Sequence, residues 1–460
     1  MTSGPEAGAG EKPAPSPPPA ASPDPQELLR SRSYLAILVF GAIVGVPVAT
    51  AAYFFLKGVD ESQHYLYATL PGELGFNGEP TWWPLPLLAL SGLLVALAIR
   101  YLPGTGGHSP ADGFKRSGPV PPIELPGIVI AAFATLSLGA VLGPEAPLIA
   151  IGSGMGVLAV HLIKRDAPAQ ASMVIGAAGS FAAISTLLGS PIVGAFLMME
   201  VSGLGGPLLG VVLVPGLLAA GVGSLIFIGL DAWTGFGTFS LAVPNIPLFT
   251  TPDGAEFLWA LGIGIAAAGL GTAIRMLALL LRPIVERRSV LLTPVVGLAV
   301  GGLAIAFAEG SDRSSSEVLF SGQTALPSLI QNAETWTVGA LVLLFLCKGL
   351  AYSACLSSFR GGPIFPGMFL GAVGGIALSH LPGLPMIAGA GMGIGALTAV
   401  MLGLPLTAVL VVTVLLPADG LALTPLVIVA VVVSYVTSAR LAPALAWAAA
   451  RNPRAQPVTP

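Results

Sequence analysis

The sequence predicts an all-α integral membrane protein made of two inverted-topology repeats with broken and re-entrant helices. Three observations predict it. The 460-residue chain is 54% hydrophobic and only 9% charged, with a mean hydropathy of +0.88, whereas soluble domains carry about 25% charged residues. Its apolar runs are continuous rather than alternating, which excludes a transmembrane barrel. A Gly/Pro frame also recurs: Gly143-Pro144-Glu145-Ala146-Pro147 leads to Gly152, and Gly362-Pro363-Ile364-Phe365-Pro366 leads to Gly371. Two broken apolar segments in corresponding positions of two halves point to a solute site near the bilayer midplane.

Taken in chain order, residues 1–30 are rich in Pro, Ala, Ser and Gly. They bury too little apolar surface to order themselves and lack the layout of a secretory signal, so a disordered tail is expected. One membrane domain follows over 31–450, in halves of about 31–230 and 255–450, and 451–460 form a short tail. The stretch 231–254, with Pro244, Pro247 and Pro252, separates the halves. A spanning helix needs about 20 apolar residues. Several runs are too long for one span and too interrupted for two, so about 14 to 18 helical segments are expected, some of them half-helices.

Arg30 and Arg32 precede the first run, Arg100, Lys115 and Arg116 follow the second, and Arg451 and Arg454 follow the last. The loop 57–84 holds Asp60, Glu61, Glu73 and Glu79 against Lys57 and ends in Trp82-Trp83. The positive-inside rule then places both termini in the cytoplasm of a cell-membrane protein.

The repeat extends beyond one motif. Gly104 to Gly143 spans 39 residues and Gly322 to Gly362 spans 40; Pro147 to Pro191 spans 44 and Pro366 to Pro405 spans 39. Leu188-Gly189-Ser190-Pro191 also parallels Leu402-Gly403-Leu404-Pro405. Three loops in this frame, Gly104-Thr105-Gly106, Gly143-Pro144 and Gly361-Gly362-Pro363, read as helix starts. A helix start presents unpaired N–H groups and a partial positive charge, which is an anion site without a cation. Taken singly, each loop reads as a tight turn with glycines for close packing; three in one repeated frame favour an anion pathway. Glu145 is the one carboxylate among them, and a carboxylate at membrane depth marks a functional site.

On these residues the chain resembles the CLC family of chloride channels and chloride/proton antiporters. The three loops match the family's three anion-binding loops in order, and Lys348-Gly349-Leu350-Ala351-Tyr352-Ser353 and Gly189-Ser190-Pro191-Ile192-Val193-Gly194 resemble it too. The resemblance implies transport of chloride or a related small anion, with protons as a second partner, by a homodimer with one pathway per subunit. It makes Glu145 the gating residue, which competes with the anion when charged and swings away when protonated. It places anion contacts at Gly104, Thr105, Gly106, Gly143, Glu145, Ala146, Ile364 and Phe365. No cofactor, metal site or nucleic-acid partner is expected.

The chain departs from the family where Pro144 and Ala146 flank the glutamate, and where Pro363 removes one backbone donor. Tyr435 falls too early to be the family's late tyrosine, and Val201 stands where antiporters carry an internal proton-relay glutamate. Glu200 is adjacent but points about 100° away on a helix. These departures favour passive, channel-like transport gated by Glu145, with chloride/proton antiport as the alternative.

Other residues carry competing readings. His108 and His161 are either proton carriers or polar residues at helix ends. Glu200 is either a structural partner for a buried donor or a pathway residue. Arg360 either concentrates anions or anchors at an interface. Ser153 with His161 raises an intramembrane hydrolase, but eight residues along a helix separate the pair beyond hydrogen-bond reach. A secondary transporter of another solute remains a further alternative. Cys347 and Cys355, in one apolar segment, read as unbonded core residues.

Overall fold

The computed structural model describes residues 30–114, 118–203, 207–237, 241–244, 246, 249, 252–417 and 420–450. The terminal tails, Lys115, Arg116 and Pro247 lie outside the described residues. The helices fall into two sets. The first comprises α1 (Arg32–His64, continued by a π-helical turn Tyr65–Thr69 and a last turn Leu70–Glu73), α2 (Pro84–Tyr101), α3 (Leu125–Ser137), α4 (Glu145–Ile163), α5 (Ala169–Leu188), α6 (Pro191–Ser202) and α7 (Pro207–Thr234). The second comprises α8 (Gly254–Arg287), α9 (Ser289–Ser311), α10 (Ala325–Gln331), α11 (Val338–Ser358), α12 (Ile364–Leu378), α13 (Met386–Leu402), α14 (Pro405–Leu415) and α15 (Gly420–Ala450). Nine helices among the described residues are long and apolar enough to cross a bilayer. Helices α3, α6 and α12–α14 are shorter, so the broken pieces fall where the Gly/Pro frame occurs.

The same pairings occur in both sets. Helix α5 packs on α1, α4, α6 and α7, and α13 packs on α8, α12, α14 and α15. Conformation obeys the same rule. Gly189 and Gly403 end α5 and α13 in the left-handed region, with φ 60° and 71°, a conformation glycine adopts at no steric cost. Gly104 and Gly322, the first landmarks of each half, have φ 78° and 81°.

The final glycine of the repeated frame has a packing cause. A Cβ on Gly152 would strike the backbone of Gly179 on α5, and one on Gly371 would strike Gly393 on α13. Each broken helix thus lies backbone to backbone against the next, which is how small residues let membrane helices approach. Around these crossings the centre is filled by residues such as Leu142, Leu148, Ile184, Phe365 and Phe369, all with under 2% of their surface exposed. Cys347 and Cys355 are free and buried.

The two sets differ at the loops between their second and third members. In the second set, Gly322 is followed by the helix α10. In the first, Gly104-Thr105-Gly106 ends α2 and leads, among the described residues, to short 3-10 turns at Pro110–Asp112 and Pro122–Glu124. The first loop therefore stops a helix without starting one, and the helix-start anion site expected there is not formed. Proline at 103, 110, 119, 121 and 122 removes backbone donors from the segment, and positive φ at Gly104, Gly106, Gly107 and Gly113 breaks helical geometry.

Candidate anion site

The site begins with two prolines. Pro144 and Pro363 are the N-caps of α4 and α12, with φ/ψ of −82°/−1° and −94°/−2°. Just before them the chains pair: Gly143 N–H donates to Gly362 O at 2.8 Å, and Gly362 N–H donates to Gly143 O at 2.6 Å. This antiparallel bridge joins the starts of the two broken helices.

The repeated frame sets how many donors each helix start exposes. The first N–H groups of a helix have no partner within it. In α4, Pro147 has no N–H, and Leu148 N–H donates to Pro144 O at 3.0 Å. The free amides are those of Glu145 and Ala146. In α12, Pro366 has no N–H, and Gly367 N–H donates to Pro363 O at 3.4 Å. The free amides are those of Ile364 and Phe365. In Gly-Pro-x-x-Pro, the two x positions are the two donors. Pro363 therefore removes no donor from the site, contrary to the sequence expectation, because it occupies the cap position; its carbonyl accepts the Tyr352 hydroxyl at 2.9 Å.

Glu145 fills the space between these donors. Its side chain is fully buried. Oε1 accepts the Phe365 N–H at 2.8 Å, and the amides of Glu145 itself and Ile364 also face the carboxyl group. Oε2 is buried with no hydrogen-bond partner. A carboxylate at a paired helix start meets unpaired amides and a partial positive charge. Next to it, a cavity of about 40 Å³ is lined by Asp60, Gln63, Leu142, Pro144, Phe320 and Thr324, room for about one or two waters or a small ion. It connects the Glu145 turn with Asp60 and Gln63 on α1, since residues 57–73, expected as part of a loop, are helical.

Residues 87–439 match the sequence pattern described as voltage gated chloride channel. The chain belongs to the CLC family. Proteins carrying the name ion-transport protein YfeO, from Escherichia coli O8 and Shigella boydii serotype 4, are each 28% identical over 364 residues, covering 77% of this chain and 82% of theirs. Among solved structures, a slow cyanobacterial Cl-/H+ antiporter superposes with a TM-score of 0.72 at 19% identity, covering 90% of this chain and 97% of that one. A CLC-type fluoride/proton antiporter gives 0.64 at 19% identity, covering 88% and 95%. These likenesses establish the CLC fold.

Of the residues expected at the anion site of this CLC chain, Gly143, Glu145, Ala146, Ile364 and Phe365 come together. Gly104, Thr105 and Gly106 join them indirectly. Thr105 is exposed, in the left-handed region at φ 51°. Its carbonyl, not its hydroxyl, makes the link, accepting Arg360 Nε at 3.2 Å. Arg360 also donates through its amide to Thr135 Oγ1 at 3.3 Å and through Nη1 to Phe359 O at 3.1 Å. It is thus the tie between the first and third loops.

The remaining candidates sort by their partners. Glu200 caps α14: Oε1 accepts Leu406 N–H at 3.0 Å, and Oε2 accepts Thr407 N–H at 2.8 Å and the Thr407 hydroxyl at 2.6 Å. His108 and His161 are exposed. Ser153 Oγ accepts Val120 N–H at 3.2 Å, and no hydrogen bond among the described residues joins it to His161, so the hydrolase pairing does not form. Tyr435, on α15, is 40% exposed. The tyrosine at the site is Tyr352, which the sequence marks only as part of a family-like run; its place eleven residues before Pro363, on the helix leading into the third loop, is the available signal.

Lys348 belongs to that same run, and nothing in the sequence assigns it a partner. It is fully buried, and its Nζ donates to the carbonyls of Glu317 at 3.0 Å, Val318 at 3.1 Å, Leu319 at 2.8 Å and Phe320 at 3.4 Å. The ammonium also lies 4.5 Å from the Phe369 ring centre. Phe320 N–H in turn donates to Gly139 O at 3.1 Å. Lys348 therefore holds the 317–320 segment against the turn that leads to Glu145.

Proposed function

We propose that this CLC chain carries chloride or a related small anion across the cell membrane, with Glu145 as its gate. One observation carries the reading: the Glu145 carboxylate occupies the locus to which the free amides of both broken helices point. A mobile anion and this side chain would compete for the same donors. Protonation removes the charge that the amides favour and lets an anion take its place. The chain performs no chemical transformation in this reading, both termini face the cytoplasm, and two copies form a dimer with a pathway in each.

Transport in this reading is passive. Val201 has no proton to carry, and all three groups held by Glu200 are the start of α14, so that carboxylate is committed to capping. A second reading is supported by a specific observation: two solved structures of this fold are described as antiporters, one for chloride and one for fluoride. In that case water would carry the proton past Val201.

The test is purified protein in liposomes, with anion efflux and proton movement recorded together. Glu145→Gln is expected to keep anion efflux and lose most of its pH dependence. Retention of the wild-type pH profile by the variant would remove Glu145 from the mechanism. Uphill proton movement driven by an anion gradient alone would replace passive transport by antiport and leave the anion route standing.

A further inference from the structure

We infer that Arg275, with Thr272 one turn before it on α8, forms a second anion-binding locus on the route that leads to Glu145. This rests on the anion-transport reading. An arginine within a membrane-spanning helix is costly and is ordinarily paired or exposed to a water-filled path. Arg275 forms no ion pair and no hydrogen bond among the described residues, and its Nε is buried without a partner. Thr272 Oγ1 is also buried without a partner, in a side chain only 7% exposed. Residues three apart share one helix face, so two unsatisfied donors point the same way.

Other arginines of the region are satisfied. Arg282, two turns further along α8, pairs with Asp112 at 2.8 Å and Glu286 at 2.6 Å. Arg360 donates to the carbonyls of Thr105 and Phe359. Buried polar groups are nearly always partnered, so the buried Nε of Arg275 and the Thr272 hydroxyl call for an acceptor that the protein does not supply. A small anion is the chemistry that fits.

The placement connects it to the first site. The Arg275 guanidinium lies against Gly113, where an added Cβ would approach Nη2 to 3.0 Å. It is therefore roofed by the loop that carries Thr105. Helix α8 packs on α11, which carries Tyr352, and the Tyr352 hydroxyl holds the Pro363 carbonyl at the start of α12. The Asp112–Arg282 pair places this part of α8 near the C-terminal end of α2. In this inference an anion entering from that side passes Arg275 on its way to the amides of Ile364 and Phe365. The exposed Thr105 hydroxyl leaves the first loop short of a donor, and the guanidinium supplies one from another helix.

The experiment measures the half-saturating chloride concentration for efflux from liposomes, with fluoride in a parallel arm, for wild type, Arg275→Gln and Arg275→Lys. A hydrogen bond to a charged group contributes about 1.5–3 kcal/mol, so the glutamine variant should raise the half-saturating concentration roughly tenfold or more. The lysine variant keeps the charge without the planar fork and should raise it about two- to threefold. An unchanged half-saturating concentration in Arg275→Gln, with wild type active, overturns the inference and leaves Glu145 and the amide site intact. If the glutamine variant cannot be purified folded, the lysine variant decides: a rise supports the locus and no change overturns it. A wild type that carries neither anion overturns the transport reading and this locus with it.

Discussion

The turns at 143–147 and 362–366 have the same backbone and opposite chemistry. Both begin with a glycine that pairs with the other, both cap a helix with proline near φ −90°, and both expose two amides. The first then places a carboxylate among those amides; the second places Ile364 and Phe365, both buried. One half supplies donors and a carboxylate, the other supplies donors and an apolar wall. Two turns can thus keep one backbone geometry while a single side chain sets their chemistry apart.

The largest expected effect falls on the clamp that only the second half possesses. Lys348→Met leaves up to four buried carbonyls unsatisfied, and losing a partner from a buried polar group costs about 1–3 kcal/mol each. A drop in melting temperature of about 10 °C or more in detergent is expected, or failure to purify. A variant that melts like wild type would mean that the 317–320 segment is held by other contacts.

A direct comparison of the two donor pairs comes next. Ala146→Pro and Phe365→Pro each delete one amide at a position in the first helical turn where proline is tolerated. Each should weaken anion transport about tenfold, the equivalent of ~1.4 kcal/mol. Phe365→Ala serves as the packing control. If Ala146→Pro transports like wild type, the Ala146 amide is no donor and the first half is left with the amide of residue 145 alone.

Glu200 tests the joint between the halves, since it lies on α6 and caps α14. Glu200→Ala should cost about 1–2 kcal/mol, the range for lost N-caps, read as lower thermal stability. Transport that is lost while stability is unchanged would return Glu200 to the pathway.

The smallest effect concerns Glu79, whose carboxylate accepts the hydroxyls of Ser315 at 2.8 Å and Ser316 at 3.2 Å. Burial holds its carboxyl above the usual range, against the lowering pull of those two hydroxyls. The folded chain therefore keeps this proton to a higher pH than the unfolded chain. The associated stability is complete below the unfolded value and is lost as pH rises through the folded one. Glu79→Gln should flatten that dependence by less than about 1 kcal/mol, because the group is partly solvated. An unaltered melting profile between pH 4 and 7, set by the ordinary carboxylate range, would remove Glu79 from the pH response.

A residue is legible in the sequence when its role is local. The apolar runs, the prolines that open α4, α6, α12 and α14, and the glycines at 189 and 403 are local instructions of this kind. Glu145 stands out because a charge amid apolar residues needs no partner to be noticed. Long-range roles stay hidden. Those of Tyr352, Lys348 and Arg275 depend on Pro363, the 317–320 carbonyls and Gly113, none of which their own helices specify. Thr105 misleads because its loop matches the repeated frame while the segment after it does not. The helix start that would aim its donors is missing.

Gly143 and Gly362 carry one further consequence. Neither has a positive φ, so neither needs to be glycine for its backbone. A Cβ at either position would instead run into the carboxylate oxygens of Glu145. The room for the Glu145 carboxylate is made of two absent methyl groups, one from each half. Substitution at these positions is therefore ordered: a side chain can enter at 143 or 362 only after residue 145 has shortened or swung out. The three positions are coupled through one small space.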